Sequence, residues 1–398
     1  MVSVRITVQP EIFRWVKEIS GNVLTKNWLN QLNTWLKDPE KKPTVKQLQN
    51  LSQKAQVPFG YFFLDRVPKE DIPLVRFRTI DNVEIGHFSR NLVDTIHDMQ
   101  RKQAWLSEYR QKNGFSTNQF SHAAQRNNCD EDKYNNQVAT AILSDLDLKP
   151  GWNVGQSASE AFKILRLKLD ENGITVMYNS IVGNSTKRHL DQNEFRAFAL
   201  DDEYAPFIFI NSNDSYRAML FSLVHELVHI WYGTSELYND NYEKEALVRE
   251  PLTEQGINRV TEFIIFPKPL FMKEWFRQTN GDRAERVEQV AKHFAASPLS
   301  AAIRAKHLGL INQETIEHLK DQLNRAYQRT KQKQKESKEK GGPQYYVVKA
   351  ARLDSAFARD IEMATKTGAI SFTNAFELLN VKNGPQFDKL MVQVKKRG

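Results

Sequence analysis

Two histidines and a glutamate stand close together in the run His225-Glu226-Leu227-Val228-His229. Side chains four positions apart lie one above the other on an α-helix, so the imidazoles of His225 and His229 can converge on one ion. Imidazole nitrogens bind Zn²⁺ at about 2.0–2.1 Å. Glu226, beside them, can take a proton from an attacking water and pass it to a leaving amine. The spacing therefore predicts a hydrolytic zinc centre with His225 and His229 as ligands and Glu226 as the catalytic carboxylate.

The residues around this run predict a buried helix from about Tyr216 to Trp231. Its apolar body consists of Leu220, Leu223, Val224, Leu227 and Val228. Two histidines and a glutamate buried together without a ligand would cost several kcal/mol. The apolar setting therefore favours a metal centre over a chance match on an exposed helix.

A catalytic zinc centre needs a third protein ligand and one open position. The extended pattern with a Gly three and a His six residues after His229 is excluded, because Tyr232 and Ser235 stand there. The remaining route is a glutamate on a downstream helix, and the candidates are Glu243, Glu245, Glu250, Glu254 and Glu262. Glu254 and Glu262 would be about 12 Å apart along a helix axis, so only one can reach the metal. Spacing alone leaves that choice open.

Composition indicates an ordinary globular protein of several domains. The chain has 398 residues, of which 40 % are hydrophobic and 26 % charged. Cys129 is its one cysteine, which excludes an internal disulfide and a Cys-rich zinc site. We see no secretion signal and no apolar run long enough to span a bilayer, so we expect a cytoplasmic protein without a membrane partner. The net charge of +8 owes much to the run 329–340, which we interpret as a solvated helix end or linker.

Periodicity predicts a mainly helical α+β protein with a small sheet. Short helices are expected over residues 8–64, where Thr44 is the predicted N-cap of the third. Further helices are predicted at residues 88–112, 134–146, 157–171 and 216–231. Short β-branched and aromatic runs predict strands at residues 173–178, 195–200 and 207–210, and a β-like run at 345–348.

Four segments resemble the ImmA/IrrE family of metallo-endopeptidases. They are residues 195–200, 206–211, 221–229 and 254–267. The resemblance implies a zincin-like core of the gluzincin kind that binds Zn²⁺. In that family a Glu four residues before an Asn supplies the third ligand, and the helix ends at a Pro. Carried over, this assigns Glu254 as the ligand, followed by Asn258 and Pro267.

The resemblance extends over nearly the whole chain and implies a domain order. Residues around 35–79 are similar to an Xre-type helix-turn-helix unit fused to such enzymes. The expected layout is a helix-turn-helix-like domain at 1–80, a helical connector at 81–150, a metallopeptidase core at 151–275, a helical extension at 276–340 and a small C-terminal domain at 341–398. Residues 1–80 would contact DNA or, in a degenerate form, protein.

The function implied by the resemblance is cleavage of a specific regulatory protein, repressor- or antitoxin-like, in a stress, phage or mobile-element switch. The alternative is a non-proteolytic DNA-binding transcription regulator, or the antitoxin of a toxin pair, with a structural or inactive metal site. Glu226 separates the two, because a purely structural site has no need of that carboxylate. Candidates for stabilising the oxyanion are Tyr204, Arg217, Tyr232 and His293, and no spacing rule selects among them.

Overall fold

The computed structural model describes residues 4–20, 24–38, 40–68, 88–120, 131–233, 237–238, 254–278, 282–323 and 344–396. Several residues singled out above lie outside these ranges: Cys129, Glu243, Glu245, Glu250 and the basic run 329–340. Within the described ranges, no helix combines the length and the apolar character needed to cross a membrane.

The chain forms two compact units. The first is Met1–Asp98 with the short segment Ser185–His189, and the second is Met99–Asn184 with Leu190–Gly398. The described part of the first unit begins with α1 (Pro10–Ser20), α2 (Lys26–Lys37), α3 (Val45–Ala55) and a 3₁₀ turn at Phe59–Phe63. A long helix, α4 (Arg90–Lys112), starts in the first unit and ends in the second.

The first unit has its own apolar core. Phe13 stacks on Trp35 with ring centroids 5.3 Å apart, and Phe62 closes the core from the 3₁₀ turn. α3 begins with a reciprocal cap, in which Thr44 Oγ1 accepts from the Gln47 N–H at 3.2 Å and Gln47 Oε1 accepts from the Thr44 N–H at 2.8 Å. The prediction of Thr44 as an N-cap is thus confirmed.

The second unit contains a small mixed sheet. Its described strands are β1 (Thr175–Asn179), β2 (Ala197–Leu200), β3 (Phe207–Asn211) and the two-residue β4 (Leu237–Tyr238), in the order β1-β3-β2-β4. β1 runs parallel to β3, while β2 is antiparallel to β3 and β4. The strands predicted at 173–178, 195–200 and 207–210 are confirmed. Every residue of β2 and β3 is buried, so both faces of the sheet are covered.

Helices make up most of the second unit, in agreement with the predicted α+β class. Its described helices after α4 are α5 (Glu131–Asp145), α6 (Ala158–Glu171), α7 (Tyr216–Trp231), α8 (Glu254–Ile265), α9 (Lys268–Arg277), α10 (Arg283–His293), α11 (Pro298–His307), α12 (313–323), α13 (Tyr345–Arg352), α14 (Ser355–Lys366), α15 (Phe372–Leu378) and α16 (Gly384–Lys395). One continuous core contains buried residues of every helix from α5 to α12 and of β1, β2 and β3.

The β-like run predicted at residues 345–348 is wrong, because these residues form the first turn of α13. Tyr345 and Val347 are exposed, while Lys349 and Ala350 are buried, as expected for one face of a helix. A short apolar run fits both a strand and a helix, and packing against α16 decides between them here.

The C-terminal helices close the outer edge of the sheet. Asp354, the N-cap of α14, accepts hydrogen bonds from the Phe357 N–H at 3.0 Å and from the Val176 N–H of β1 at 3.1 Å. Arg166 donates to the Val176 carbonyl at 3.1 Å and to the Ala351 carbonyl at 2.7 Å. These contacts satisfy edge groups of β1 that would otherwise be open to pairing with another chain.

Candidate metal centre

Helix α7 carries the paired histidines through the middle of the second unit. It follows β3 after a short turn and begins at Ser215, whose Oγ accepts from the Ala218 N–H at 3.3 Å. Every residue from Met219 to Trp231 is buried. The apolar residues of this stretch hold the helix in the core and keep its polar groups away from bulk water.

His225 and His229 face each other across one helical turn. Their Nε2 atoms are 3.1 Å apart, and the ring centroids are 4.9 Å apart. Their side chains are 0 % and 1 % exposed. Because water is excluded from both rings, a metal ion that binds the two Nε2 atoms meets little competition from solvent.

Glu254, the first residue of α8, brings a carboxylate to the same point. Its Oε2 lies 3.4 Å from His225 Nε2, and its Oε1 lies 3.6 Å from His229 Nε2. Ligand atoms about 2.0–2.2 Å from a tetrahedral ion are separated from one another by about 3.3–3.6 Å. The observed separations of 3.4 and 3.6 Å lie within that range, and the 3.1 Å between the two Nε2 atoms is about 0.2 Å below it. His225, His229 and Glu254 are therefore close enough to hold one metal ion.

Asn258 orients the first histidine from outside the metal cluster. It lies one turn after Glu254 on α8, and its Oδ1 is 3.1 Å from His225 Nδ1. An amide oxygen can only accept, so His225 must donate from Nδ1 and present the lone pair of Nε2 to the cluster. The sequence identified Asn258 only through the resemblance, as the Asn four residues after Glu254. This i, i+4 spacing places both side chains on one face of α8, and it was the sequence signal that could have indicated the hydrogen bond to His225.

Glu226 is fully buried on α7, next to the first histidine. A carboxylate in a water-poor site beside a metal ion is suited to move a proton between water and a leaving group. The arrangement therefore combines three donor atoms for a metal with one further carboxylate on the same helix.

Glu262, the other candidate ligand on α8, has different neighbours. Its Oε1 lies 2.7 Å from Arg304 Nη1, and its Oε2 lies 2.7 Å from His307 Nδ1. Arg259 Nη1 is 3.0 Å from the same carboxylate. Both oxygens of Glu262 are thus directed at cationic or hydrogen-bonding groups, about two turns along α8 from Glu254.

The oxyanion candidates occupy varied positions. Arg217 pairs with Glu288 at 2.8 Å, and His293 lies 3.7 Å from a carboxylate oxygen of Glu274. Tyr232 is the C-cap of α7, the helix that carries His225 and His229. The Tyr204 carbonyl accepts from Arg110 at 2.7 Å. Two of the four side chains therefore have carboxylate neighbours of their own.

One comparison with known proteins gives a family match. The Peptidase_M78 family model, described as the IrrE N-terminal-like domain, matches residues 169–306. The match covers the three longer strands and the helices from α7 to α10. It supports the ImmA/IrrE family and a metallopeptidase of that type, a class that typically depends on a metal. No curated protein and no solved structure matched the chain.

Proposed function

We propose that this chain is a zinc-dependent endopeptidase in which His225, His229 and Glu254 bind the metal and Glu226 is the general base. The observation that carries the proposal is the convergence of three donor atoms, 3.1, 3.4 and 3.6 Å apart, on one point. The family match over the same segment supports it. Two imidazoles and one carboxylate suit Zn²⁺ and leave a fourth tetrahedral position open for chemistry.

A bound Zn²⁺ supplies Lewis acidity and a water of lowered pKa. The protein's own groups do the rest. Asn258 holds the His225 ring in one tautomer. Glu226 accepts the proton of the attacking water and returns it to the amine nitrogen as the C–N bond breaks. The buried surroundings of α7 keep bulk water from competing for these groups.

The proposed core is zincin-like and of the gluzincin kind, within residues 151–275. The proposed substrate is a specific regulatory protein, repressor- or antitoxin-like, in a stress, phage or mobile-element switch. This substrate class is carried over from the resemblance of the sequence to the ImmA/IrrE family. The proposed role of residues 1–80 is to bring the enzyme to DNA or to a protein partner.

The first test is metal analysis of the purified chain. The wild type should bind close to one equivalent of zinc, and His229→Ala should lose it because two donors cannot hold the ion tightly. His293→Ala is the matched control, since it removes an imidazole of the same unit that lies against Glu274. A wild type that binds no zinc when supplied with it would contradict the proposal.

The second test separates catalysis from a structural metal. Glu226→Gln should keep the zinc and slow cleavage by about 10²–10⁴-fold, because the general base is lost. Proteins whose genes lie next to the gene of this chain are incubated with the wild type and with the variant, and mass spectrometry identifies any new chain termini. Unchanged cleavage by Glu226→Gln would exclude Glu226 as the base. Zinc binding with no cleavage by the wild type would favour the non-proteolytic regulator.

A further inference from the structure

A polar network lies on the third turn of α8, away from the metal centre. Asp132 of α5 receives two hydrogen bonds from Arg259, from Nε and from Nη2, each at 3.0 Å. Arg259 Nη1 also reaches Glu262 at 3.0 Å. Arg304 and His307 of α11 contact the two oxygens of Glu262, each at 2.7 Å. The network thus joins α8 to α5 on one side and to α11 on the other.

The centre of the network, Glu262 with Arg304, is charged although it is buried. Burial raises the pKa of the Glu262 carboxyl, but the hydrogen bond from His307 and the charge of Arg304 outweigh it, and the pKa stays below its usual value. The Arg304 guanidinium lies 4.8 Å from the centroid of the Phe263 ring, and that of Arg259 lies 5.3 Å from it. The carboxylate of Glu262 is therefore ionised and held from several directions at neutral pH.

Such a network restrains α8 in ways that apolar packing does not. Ile257, Val260 and Ile264 bury α8 in the core, but apolar contacts are non-directional and tolerate small slides and rotations. Hydrogen-bonded ion pairs have preferred distances and angles, so they fix both the axial and the rotational position of the helix. Glu254 is the first residue of that same helix. Any shift of α8 is passed to its carboxylate about 12 Å away along the axis.

We propose that Glu262, held by Arg259, Arg304 and His307, is a positioning residue that sets Glu254 at the distance needed for metal binding. The inference rests on the proposed function in so far as Glu254 is a metal ligand. Metal sites tolerate errors of only about 0.2 Å in ligand distance. A displacement of α8 that leaves the fold intact would therefore weaken the metal centre.

The test measures zinc affinity by competition with a chelator, together with the visible absorption of the cobalt-substituted protein. Glu262→Gln should weaken zinc binding by about 10-fold, the lower end of what loss of a group hydrogen-bonded to a ligand causes, because Glu262 acts through α8 and not by direct contact with a ligand. Asp132→Asn removes the exposed end of the network and should weaken zinc binding by a smaller factor, about 3-fold or more. Both variants should alter the cobalt spectrum, because the geometry around the ion changes.

Arg277→Gln is the matched control for Asp132→Asn. It also removes the exposed member of an ion pair, here with buried Glu274 at 2.7 Å, in the same unit. It should lower the unfolding temperature without changing zinc affinity or the cobalt spectrum. If Glu262→Gln fails to fold, Asp132→Asn decides the question alone, and unchanged affinity and spectrum in that variant overturn the proposal.

A double substitution distinguishes positioning from general destabilisation. In a Glu254→Gln background, adding Glu262→Gln should cause no further loss of zinc affinity, since the network acts through Glu254. A further loss equal to that of the single variant overturns the proposal while leaving the metal centre intact. A wild type that binds no zinc overturns the proposed function and this inference together, so the two failures are distinguishable.

Discussion

The first and third turns of α8 carry the same chemical group in opposite surroundings. Glu254 faces two imidazole nitrogens at 3.4 and 3.6 Å. Glu262 faces Arg304 and His307, each at 2.7 Å. A carboxylate that already meets an arginine guanidinium is neutralised within the protein, whereas one beside two imidazole nitrogens can complete a set of donors for an external cation. Electrostatic surroundings, more than position on a helix, distinguish the proposed metal ligand Glu254 from the proposed positioning residue Glu262.

The largest expected effect is at the first turn. Glu254→Gln should weaken zinc binding by more than about 100-fold, beyond what loss of an outer partner causes, because an anionic donor of the centre is removed. Glu203→Gln, which neutralises an exposed carboxylate of the same unit, should change nothing. Competition with a chelator measures the zinc affinity. If Glu254→Gln and the wild type bind zinc equally well, Glu254 is not a metal ligand, and the proposed difference between the first and third turns of α8 is wrong.

The next effect concerns the residue between the two carboxylates. Asn258→Leu removes the acceptor 3.1 Å from His225 Nδ1 and should weaken zinc binding by about 10-fold or more, because the ring loses its fixed tautomer. Asn258→Asp keeps an acceptor and should bind zinc at least as tightly as wild type. Equal losses in the two variants would show that the effect comes from packing instead of from the hydrogen bond.

A third polar cluster, far from α8 in sequence, sharpens the comparison. Asp170, near the end of α6, lies 3.6 Å from Arg359. Burial and the neighbouring Asp354 raise the pKa of Asp170 to about 7. Here burial, together with an acidic neighbour, keeps a carboxyl group partly protonated, whereas basic neighbours keep Glu262 ionised although it is buried. Arg166 and Arg359 moderate the shift without cancelling it.

The smallest expected effect concerns Asp170, whose carboxyl group makes the stability of the folded chain depend on pH. The pKa of Asp170 is about 7 in the folded chain and 3.8 in the unfolded reference, so the folded state binds more protons between these values. Its stabilising contribution is complete below pH 3.8 and is lost as the pH rises through 7. Asp170→Asn should remove this loss and raise the unfolding temperature at pH 8 by about 2–4 °C.

Calorimetry between pH 5 and pH 8 checks the prediction, and the difference between Asp170→Asn and wild type should shrink toward pH 5. Glu171→Gln, which changes the next carboxylate along the same helix and lies beside Lys168 in solvent, is the control. A difference that stays constant with pH would show that the substitution acts through packing and that the carboxyl does not titrate.

Local spacing was enough to predict much of the framework. The apolar period of α7, the cap at Thr44 and the β-branched runs at β1 and β3 all lie within short windows of sequence, and the structure agrees with each. The run at 345–348 was predicted wrongly because its residues suit a strand, while their neighbours in space make them a helix. A short-range pattern identifies a helix or strand correctly where the spacing of the apolar residues matches the buried face of the element. A prediction from residue types alone, as at 345–348, can be wrong.

The sequence by itself determined that His225 and His229 can meet, because four residues on a helix bring two side chains onto one face whatever surrounds them. It left five glutamates as partners for that pair, and only a resemblance to known enzymes distinguished them. Tertiary structure decided which carboxylate lies beside the imidazoles, since the packing of α8 on α7 brings Glu254 there and gives Glu262 to Arg304. Contacts between elements distant in sequence depend on how whole helices pack, and no local spacing encodes that.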